Sequence, residues 1–215
     1  MAPIHGRSSH HLETPRLILR TASPSDAKQF SLVRIDPLNN PFGGAVGADR
    51  PEAEQAERLR SQQGSTAAGD NGFMVIILKP DQPAPDSAEV LKVHDGWLIG
   101  MSGYNSLPMR RINGVDVYVG DTGALVDHRF AREGYALEAL EGLIEHGFRE
   151  MGLGGMFLET NVDNEPFKGL MSMMELDDVR EYCSDDGGSF TYTFGREKWG
   201  AVKSALMKKG KWLLS

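Results

Sequence analysis

Apolar residues occur in short runs broken by Gly, Pro and Asp/Asn, and these breaks set the expected elements. Arg16-Leu17-Ile18-Leu19-Arg20-Thr21 follows Pro15 and predicts a strand. Ser23-Pro24-Ser25-Asp26 reads as a helix start, with Ser23 as N-cap, Pro24 at the first helical position and Asp26 closing a capping box. That helix is expected to reach about Arg34. Asp49-Arg50-Pro51-Glu52 repeats the start logic. Glu52, Glu54 and Glu57 come early and Arg58 and Arg60 late, an order that suits the helix dipole. Gly64 is expected to end this second helix, leaving residues 64–71 as a polar turn. Phe73–Leu78 is continuously apolar and predicts a buried strand. A Pro-rich loop follows over residues 80–86. Asp95-Gly96, between Val90–His94 and Trp97–Tyr104, signals a hairpin. Asn113-Gly114 marks another turn, and a further strand lies within Val115–Asp127.

The strongest periodicity spans residues 134–151. Leu137, Leu140, Ile144 and Phe148 recur at helical spacing and Gly152 stops the run. Met156–Asn161 predicts a strand and Asn164–Met174 a short helix. Val179–Cys183 and Ser189–Gly195 predict two strands flanking Asp185-Asp186-Gly187-Gly188. Glu197–Lys209 predicts a terminal helix. The order β-α-α-β-β-β-α-β-α-β-β-α lacks regular βα alternation, which excludes a doubly wound sheet. It predicts the α+β class, a mixed sheet with helices packed on it. Residues 1–11 are expected to be a flexible lead-in and residues 12–215 one domain.

Composition narrows the function classes. The chain has 215 residues, 40% hydrophobic and 25% charged, ordinary values for a globular protein. No apolar run approaches the ~20 residues that span a bilayer, so no membrane partner is expected. The N-terminus lacks the apolar core of a signal peptide, and the single cysteine, Cys183, cannot form an internal disulfide; a cytoplasmic location is the expectation. The formal charge of −7 argues against a nucleic-acid partner and favours cationic ones. His10-His11 has no third ligand at useful spacing, so no metal is expected.

Chemistry concentrates between Leu125 and Leu140. A strand ends, a short loop follows, and Gly134 opens the long amphipathic helix. Such a junction aims free backbone N–H groups and the positive end of the helix dipole at one spot, which suits a pyrophosphate. Gly134 and Ala136 are small enough for close approach of an anion. Neither G-x-G-x-x-G nor G-x-x-x-x-G-K-[ST] is present.

Ala131-Arg132-Glu133-Gly134-Tyr135-Ala136 resembles the [QR]-x-x-G-x-[GA] acyl-CoA loop of the GNAT N-acetyltransferases. Glu13-Thr14-Pro15-Arg16-Leu17-Ile18-Leu19-Arg20 is similar to the opening strand of the ribosomal-protein acetyltransferase-like (RimJ/RimL) branch. Gly134-Tyr135-Ala136-Leu137-Glu138-Ala139 is close to that branch's G-Y-A-T-E-A. Asn164-Glu165-Pro166-Phe167-Lys168-Gly169-Leu170-Met171 fits N-x-x-[AS]-x-x-L-[YM]. The resemblance implies the GNAT fold, with a mostly antiparallel sheet splayed between its fourth and fifth strands and acetyl-CoA in the gap. It implies that Leu125, Val126 and Asp127 offer backbone groups to the pantetheine arm and that Ala131, Arg132, Glu133, Gly134, Tyr135, Ala136 and Leu137 cradle the pyrophosphate. Asn164 would hold the cosubstrate from the next helix, a position that also suits an N-cap; Lys168 and Arg132 could add charge.

The sequence departs from the pattern in four places. Ala131 replaces the usual Gln or Arg, and Glu133 puts a negative charge in a phosphate loop. Met171 stands where many relatives carry a Tyr that protonates the leaving thiolate, and Glu175-Leu176 stands where Gly-Phe is common. For the base, Glu159 is the first candidate, since alternation places Phe157, Glu159 and Asn161 on one face and Leu158-Glu159 matches a Leu-Glu of relatives in which that Glu is the base. Asp121 and His128 follow. The implied activity is acetyl transfer from acetyl-CoA to a primary amine of a small molecule or protein N-terminus, by a monomer or homodimer. The alternative is a GNAT-fold binding or regulatory module with weakened catalysis. Acceptor choice is expected to rest with residues 39–50 and 106–115.

Overall fold

A computed structural model describes residues 5–39, 41–42 and 49–214. Eleven strands are present among them: β1 (His11–Glu13), β2 (Leu17–Thr21), β3 (Gly72–Leu78), β4 (Lys92–Val93), β5 (Gly96–Ser106), β6 (Met109–Ile112), β7 (Val115–Thr122), β8 (Leu125–Val126), β9 (Gly155–Asn161), β10 (Arg180–Cys183) and β11 (Ser189–Gly195). Five α-helices accompany them: α1 (Ala27–Ile35), α2 (Glu52–Ala68), α3 (Tyr135–Arg149), α4 (Glu165–Met173) and α5 (Arg196–Lys208). The sheet runs β1-β2-β3-β5-β7-β9-β11-β10. Its pairs are antiparallel except β7 with β9, the one pair joined through a crossover helix, α3. None of the described helices is long and apolar enough to cross a membrane.

The capping box forms as read. Ser23 accepts from the Ser25 N–H, the Asp26 carboxylate accepts from the Ser23 N–H at 2.7 Å, and a short 3-10 turn over Pro24–Asp26 leads into α1. Asn113 (φ +50°) and Gly114 (φ +81°) make the turn between β6 and β7.

Several expectations are corrected. The second helix runs through Gly64 to Ala68 and ends at Gly69, whose φ is +85°. A Cβ at Gly64 would meet nothing, so that glycine is solvent-facing and costs the helix only about 1 kcal/mol. Thr66, fully buried, donates to the Gln62 carbonyl and bonds the Asn71 amide, which fixes the last turn. Val90 lies in a 3-10 turn (Asp86–Leu91), so its hairpin strand shrinks to β4. Two strands, β1 and β6, had no apolar signature. Within residues 5–11, in the expected lead-in, two side chains are buried. His5 is buried with Nε2 3.0 Å from the Gly69 carbonyl, and His10 is buried with Nδ1 3.5 Å from His146 Nε2. Much of the expected acceptor loop at 39–50 lies outside the described residues.

α3 is the central packing element. Ala139, Leu140, Leu143 and Ile144 are fully buried, each larger side chain worth about 1.5–3 kcal/mol of apolar burial. Tyr104 on β5 donates its hydroxyl to the Leu143 carbonyl at 2.6 Å. Gly147 permits this closeness, since a Cβ there would lie 2.8 Å from the Tyr104 hydroxyl and 2.4 Å from the Met156 methyl.

The registers define two faces of the sheet. Tyr104 pairs with Gly72 and Thr122, and these three positions face α3. Phe73, Asp121 and Phe157 therefore lie on the opposite face. There Phe73 meets Phe30 of α1 edge-to-face at 5.8 Å.

Candidate active site

β7 and β9 are paired over only three residues: Val119 with Gly155, Gly120 with Met156, and Asp121 with Phe157. Beyond them the strands separate. β8 continues the β7 direction but turns to β5, Leu125 opposite Met101 and Val126 opposite Gly100. Leu158–Asn161 keep β11 on one side and have no strand on the other among the described residues. A gap thus opens between β8 and the end of β9. Gly100 lets β8 close on β5, because a Cβ there would lie 2.2 Å from the Leu125 carbonyl. The outer edges of Leu125 and Val126 therefore keep unpaired backbone groups toward the gap.

Asp127 ends β8. Its N–H donates to the Ile99 carbonyl at 2.7 Å, and its fully buried carboxylate caps the following turn by accepting from the Arg129 N–H. Arg129 Nε and Nη2 donate to it at 2.6 and 2.8 Å, and Asn39 Nδ2 at 2.9 Å. Burial alone would push this carboxyl up; the Arg129 and Asn39 hydrogen bonds overcome it and hold it below the usual carboxylate range. The side chain is a lock that fixes where the loop leaves the sheet.

The loop 131–134 is exposed and carries two left-handed residues, Arg132 at φ +69° and Gly134 at φ +82°. Gly134 is the N-cap of α3 and no side chain caps the helix, so the N–H groups of Tyr135, Ala136 and Leu137 are open. Beneath the loop lies Arg16 of the segment entering β2. Its Nη1 donates to the Glu133 carbonyl at 2.9 Å, its Nε to Glu138 at 2.6 Å, and its guanidinium sits 4.4 Å over the Tyr135 ring. Glu138, 1% exposed, also accepts from the Arg16 N–H and the Thr14 hydroxyl, at 2.8 and 2.6 Å. Sequence reasoning noticed Thr14–Arg16 and Glu138 only as motif letters. A physical signal was present: a glutamate on the apolar face of a helix needs a cation.

The residues present fit a pyrophosphate. Open helix N–H groups, two left-handed backbone positions and a nearby guanidinium converge, with glycine at the closest approach. Glu133 is exposed and engages Arg16 through its carbonyl.

Asn164 Oδ1 accepts from the Phe167 N–H at 3.1 Å, so it is the N-cap of α4. Lys168 donates to the Val162 carbonyl at 2.7 Å and lies 5.6 Å from the Phe190 ring. Met171 is fully buried in the core.

Of the three candidate bases, two share one face. Asp121 accepts from the Ser106 hydroxyl at 3.3 Å. Burial raises its pKa first, and the negative charge of Glu159 adds to the rise against hydrogen bonds from Asn105 and Ser106. Glu159 is exposed on β9, two residues beyond Phe157, and accepts from the Ser189 hydroxyl at 2.6 Å. Arg110 stacks 4.0 Å over Phe157 beside them. His128 stands apart from this pair, 3.2 Å from Asp36 at the end of α1, and its N–H donates to Asn39. No group of three or more candidate metal ligands occurs among the described residues.

A sheet that parts after one short parallel pair, with an uncapped helix at the gap, is the architecture of an acyltransferase domain. The chain belongs to the GNAT acetyltransferase family, whose acetyltransferase (GNAT) domain model matches residues 16–176. Among solved structures it is similar to apo FdhC, a nucleotide-linked sugar GNAT, at 17% identity and a TM-score of 0.67 over 96% of this chain and 99% of that one. It is also similar to Mycobacterium smegmatis RimJ in complex with CoA-disulfide, at 15% identity and a TM-score of 0.66 over 98% of each chain. RimL in complex with coenzyme A matches at 13% identity and a TM-score of 0.62, over 86% of this chain and 98% of that one. At these identities the likeness is one of fold. No curated protein matches the chain.

Proposed function

We propose that the protein is an acetyl-CoA-dependent N-acetyltransferase that transfers the acetyl group directly to a primary amine. The observation that carries the reading is the gap between β8 and β9, with open helix N–H groups at its α3 mouth and Asp121 and Glu159 on its rim. Acetyl-CoA supplies a thioester carbonyl carbon; the amine nitrogen bonds to that carbon, the C–S bond breaks, and the sulfur leaves as thiolate. Arg16 and the first turn of α3 position the pyrophosphate. The outer edges of Leu125 and Val126 orient the pantetheine arm as a strand-like partner. Asp121 takes the proton that the amine must lose, and Glu159 beside it raises the basicity of that carboxylate. Met171 offers no hydroxyl, so the thiolate is protonated from solvent.

Thiol release from acetyl-CoA over an amine panel tests this, with products identified by mass spectrometry. Asp121→Asn should lower kcat/KM by roughly 10²–10⁴-fold, and Glu159→Gln should lower it less. Acetyl-CoA affinity should hold in both. The acidic limb of the wild-type pH profile should lie above the ordinary aspartate range, because Asp121 accepts a proton only when ionised. Products acetylated only on oxygen would refute the reading. Coenzyme A binding without turnover on any amine would favour a binding module, the alternative that the buried Met171 favours.

A further inference from the structure

Between α1 and α2 lies a cavity of about 400 Å³ that the reaction above does not use. Phe30 and Phe73 line it with aromatic surface, and Arg34 of α1, Arg58 of α2 and Arg50, just before α2, also line it. Arg50 is held by Glu54 at 3.1 Å. Arg34 and Arg58 have no ion-pair partner among the described residues. Burial, then the charges of Arg58 and Arg50, push the Arg34 guanidinium below its ordinary pKa, so the arginines repel one another. Gln55 also lines the cavity and is 5% exposed, so its amide can hydrogen-bond a ligand there. In a chain of net charge −7, two arginines without an ion-pair partner among the described residues, converging on one cavity, suit an anion.

Its position relates it to the transfer chemistry. Phe73 pairs with Gly103 on β5, and β5 pairs with β7 beside Asp121. Phe73 and Asp121 share a sheet face, two strand spacings apart across the sheet and about two residues apart along it, roughly 12 Å in all. The geometry points to an acceptor that carries a phosphate or carboxylate on the order of 10 Å from its reactive amine, seated by Arg34, Arg58 and Gln55 while the amine reaches Asp121. This rests on the transferase reading for the amine end; the anion end stands on the cavity alone.

The test uses a matched eight-carbon series: 8-aminooctyl phosphate, 8-aminooctanoate, octylamine, and octyl phosphate, which has no amine. Calorimetry measures binding and thiol release measures turnover, for wild type, Arg34→Gln/Arg58→Gln and Asp121→Asn. Both anionic amines should bind wild type at least about tenfold more tightly than octylamine. The arginine double variant should lose that preference with its melting temperature unchanged or raised, since like charges have been removed. Arg34→Lys should keep part of it. Asp121→Asn should keep the anion preference and lose turnover. Comparing the phosphate with the carboxylate identifies which anion is native. Octyl phosphate separates the two readings: if it binds wild type through the arginines while no amine is acetylated, the transferase assignment fails and the anion site stands. Equal affinity for octylamine and the anionic amines, or undiminished anion binding by the double variant, would overturn the proposal.

Discussion

Replacing Glu141 by Gln should stabilise the protein, and the gain should grow with pH. Glu141 lies on α3 and is fully buried. Its Oε2 accepts from the Leu213 N–H at 3.0 Å, while Oε1 has no partner. Burial raises its pKa to about 7 from the ordinary 4.5; Glu138 and Glu145 add to the rise, and the Leu213 N–H and Lys203 oppose it. The folded state thus holds a proton that the unfolded chain has released between pH 4.5 and 7. Stability contributed by this group is complete below pH 4.5 and falls as pH rises through 7. At 1.36 kcal/mol per pH unit, a rise from 4.5 to about 7 corresponds to roughly 3 kcal/mol by pH 8. Gln keeps an oxygen for the Leu213 N–H and carries no charge. The variant should gain less than about 1 kcal/mol at pH 5 and roughly 3 kcal/mol at pH 8, or about 6–12 °C in melting temperature for a chain of this size. Urea melts of both proteins across this range measure the difference directly, and the difference removes titrations common to both. A gain that does not change with pH, or a Gln variant less stable at pH 8, would show that the Leu213 N–H already stabilises the charged form.

His10 provides the opposite slope: burial, then His146, lowers its pKa from 6.5 to about 4, so stability is complete above pH 6.5 and declines by roughly 3 kcal/mol toward pH 4. His10→Phe should flatten that part of a urea-melt pH series, and an unchanged slope would assign the acid sensitivity elsewhere. Gly134→Asp should abolish the melting-temperature shift caused by acetyl-CoA, because it adds bulk and negative charge at φ +82°, 3.4 Å from Arg16; a shift equal to wild type counts against the pyrophosphate cradle. Arg16→Met should destabilise by about 3–5 kcal/mol by leaving the buried Glu138 without its cation, measured in denaturant. A loss under about 1 kcal/mol would place the pair among solvent-screened ones.

Legibility followed where local chemistry decides structure. The Ser23–Asp26 capping box, the Asn113-Gly114 turn and the α3 stripe each depend on neighbours within one helical turn or one hairpin, and the chain order shows them. Gly64 misled because a glycine in a polar helix and a glycine ending one look alike until Thr66 is seen to be buried. β1 and β6 were hidden because His11–Glu13 and Met109–Ile112 are short, pair through backbone groups, and carry too few apolar residues to mark a strand. At the site, the loop 131–137 was visible as a motif, while the support of Asp127 by Asn39 and of Glu138 by Arg16 joins residues 88 and 122 positions apart. Asp121 acquires its raised pKa from burial and from Glu159, a strand away across the sheet; neither cause has a sequence signature.

One helix connects these observations. The open first turn of α3 faces the expected pyrophosphate, Glu138 one turn later ties it to Arg16, Glu141 takes the C-terminal segment at Leu213, and Gly147 admits Tyr104 and Met156. Arg16 bonds both the Glu133 carbonyl and the Glu138 carboxylate, so the conformation of the loop and the docking of α3 on β2 share one guanidinium. A ligand anion at the first turn would draw on the same positive charge, which strengthens the arginine's reasons to remain in place. Binding and folding at this corner are therefore linked through Arg16, which holds the Glu133 carbonyl between the left-handed residues Arg132 and Gly134 while it anchors Glu138 of α3.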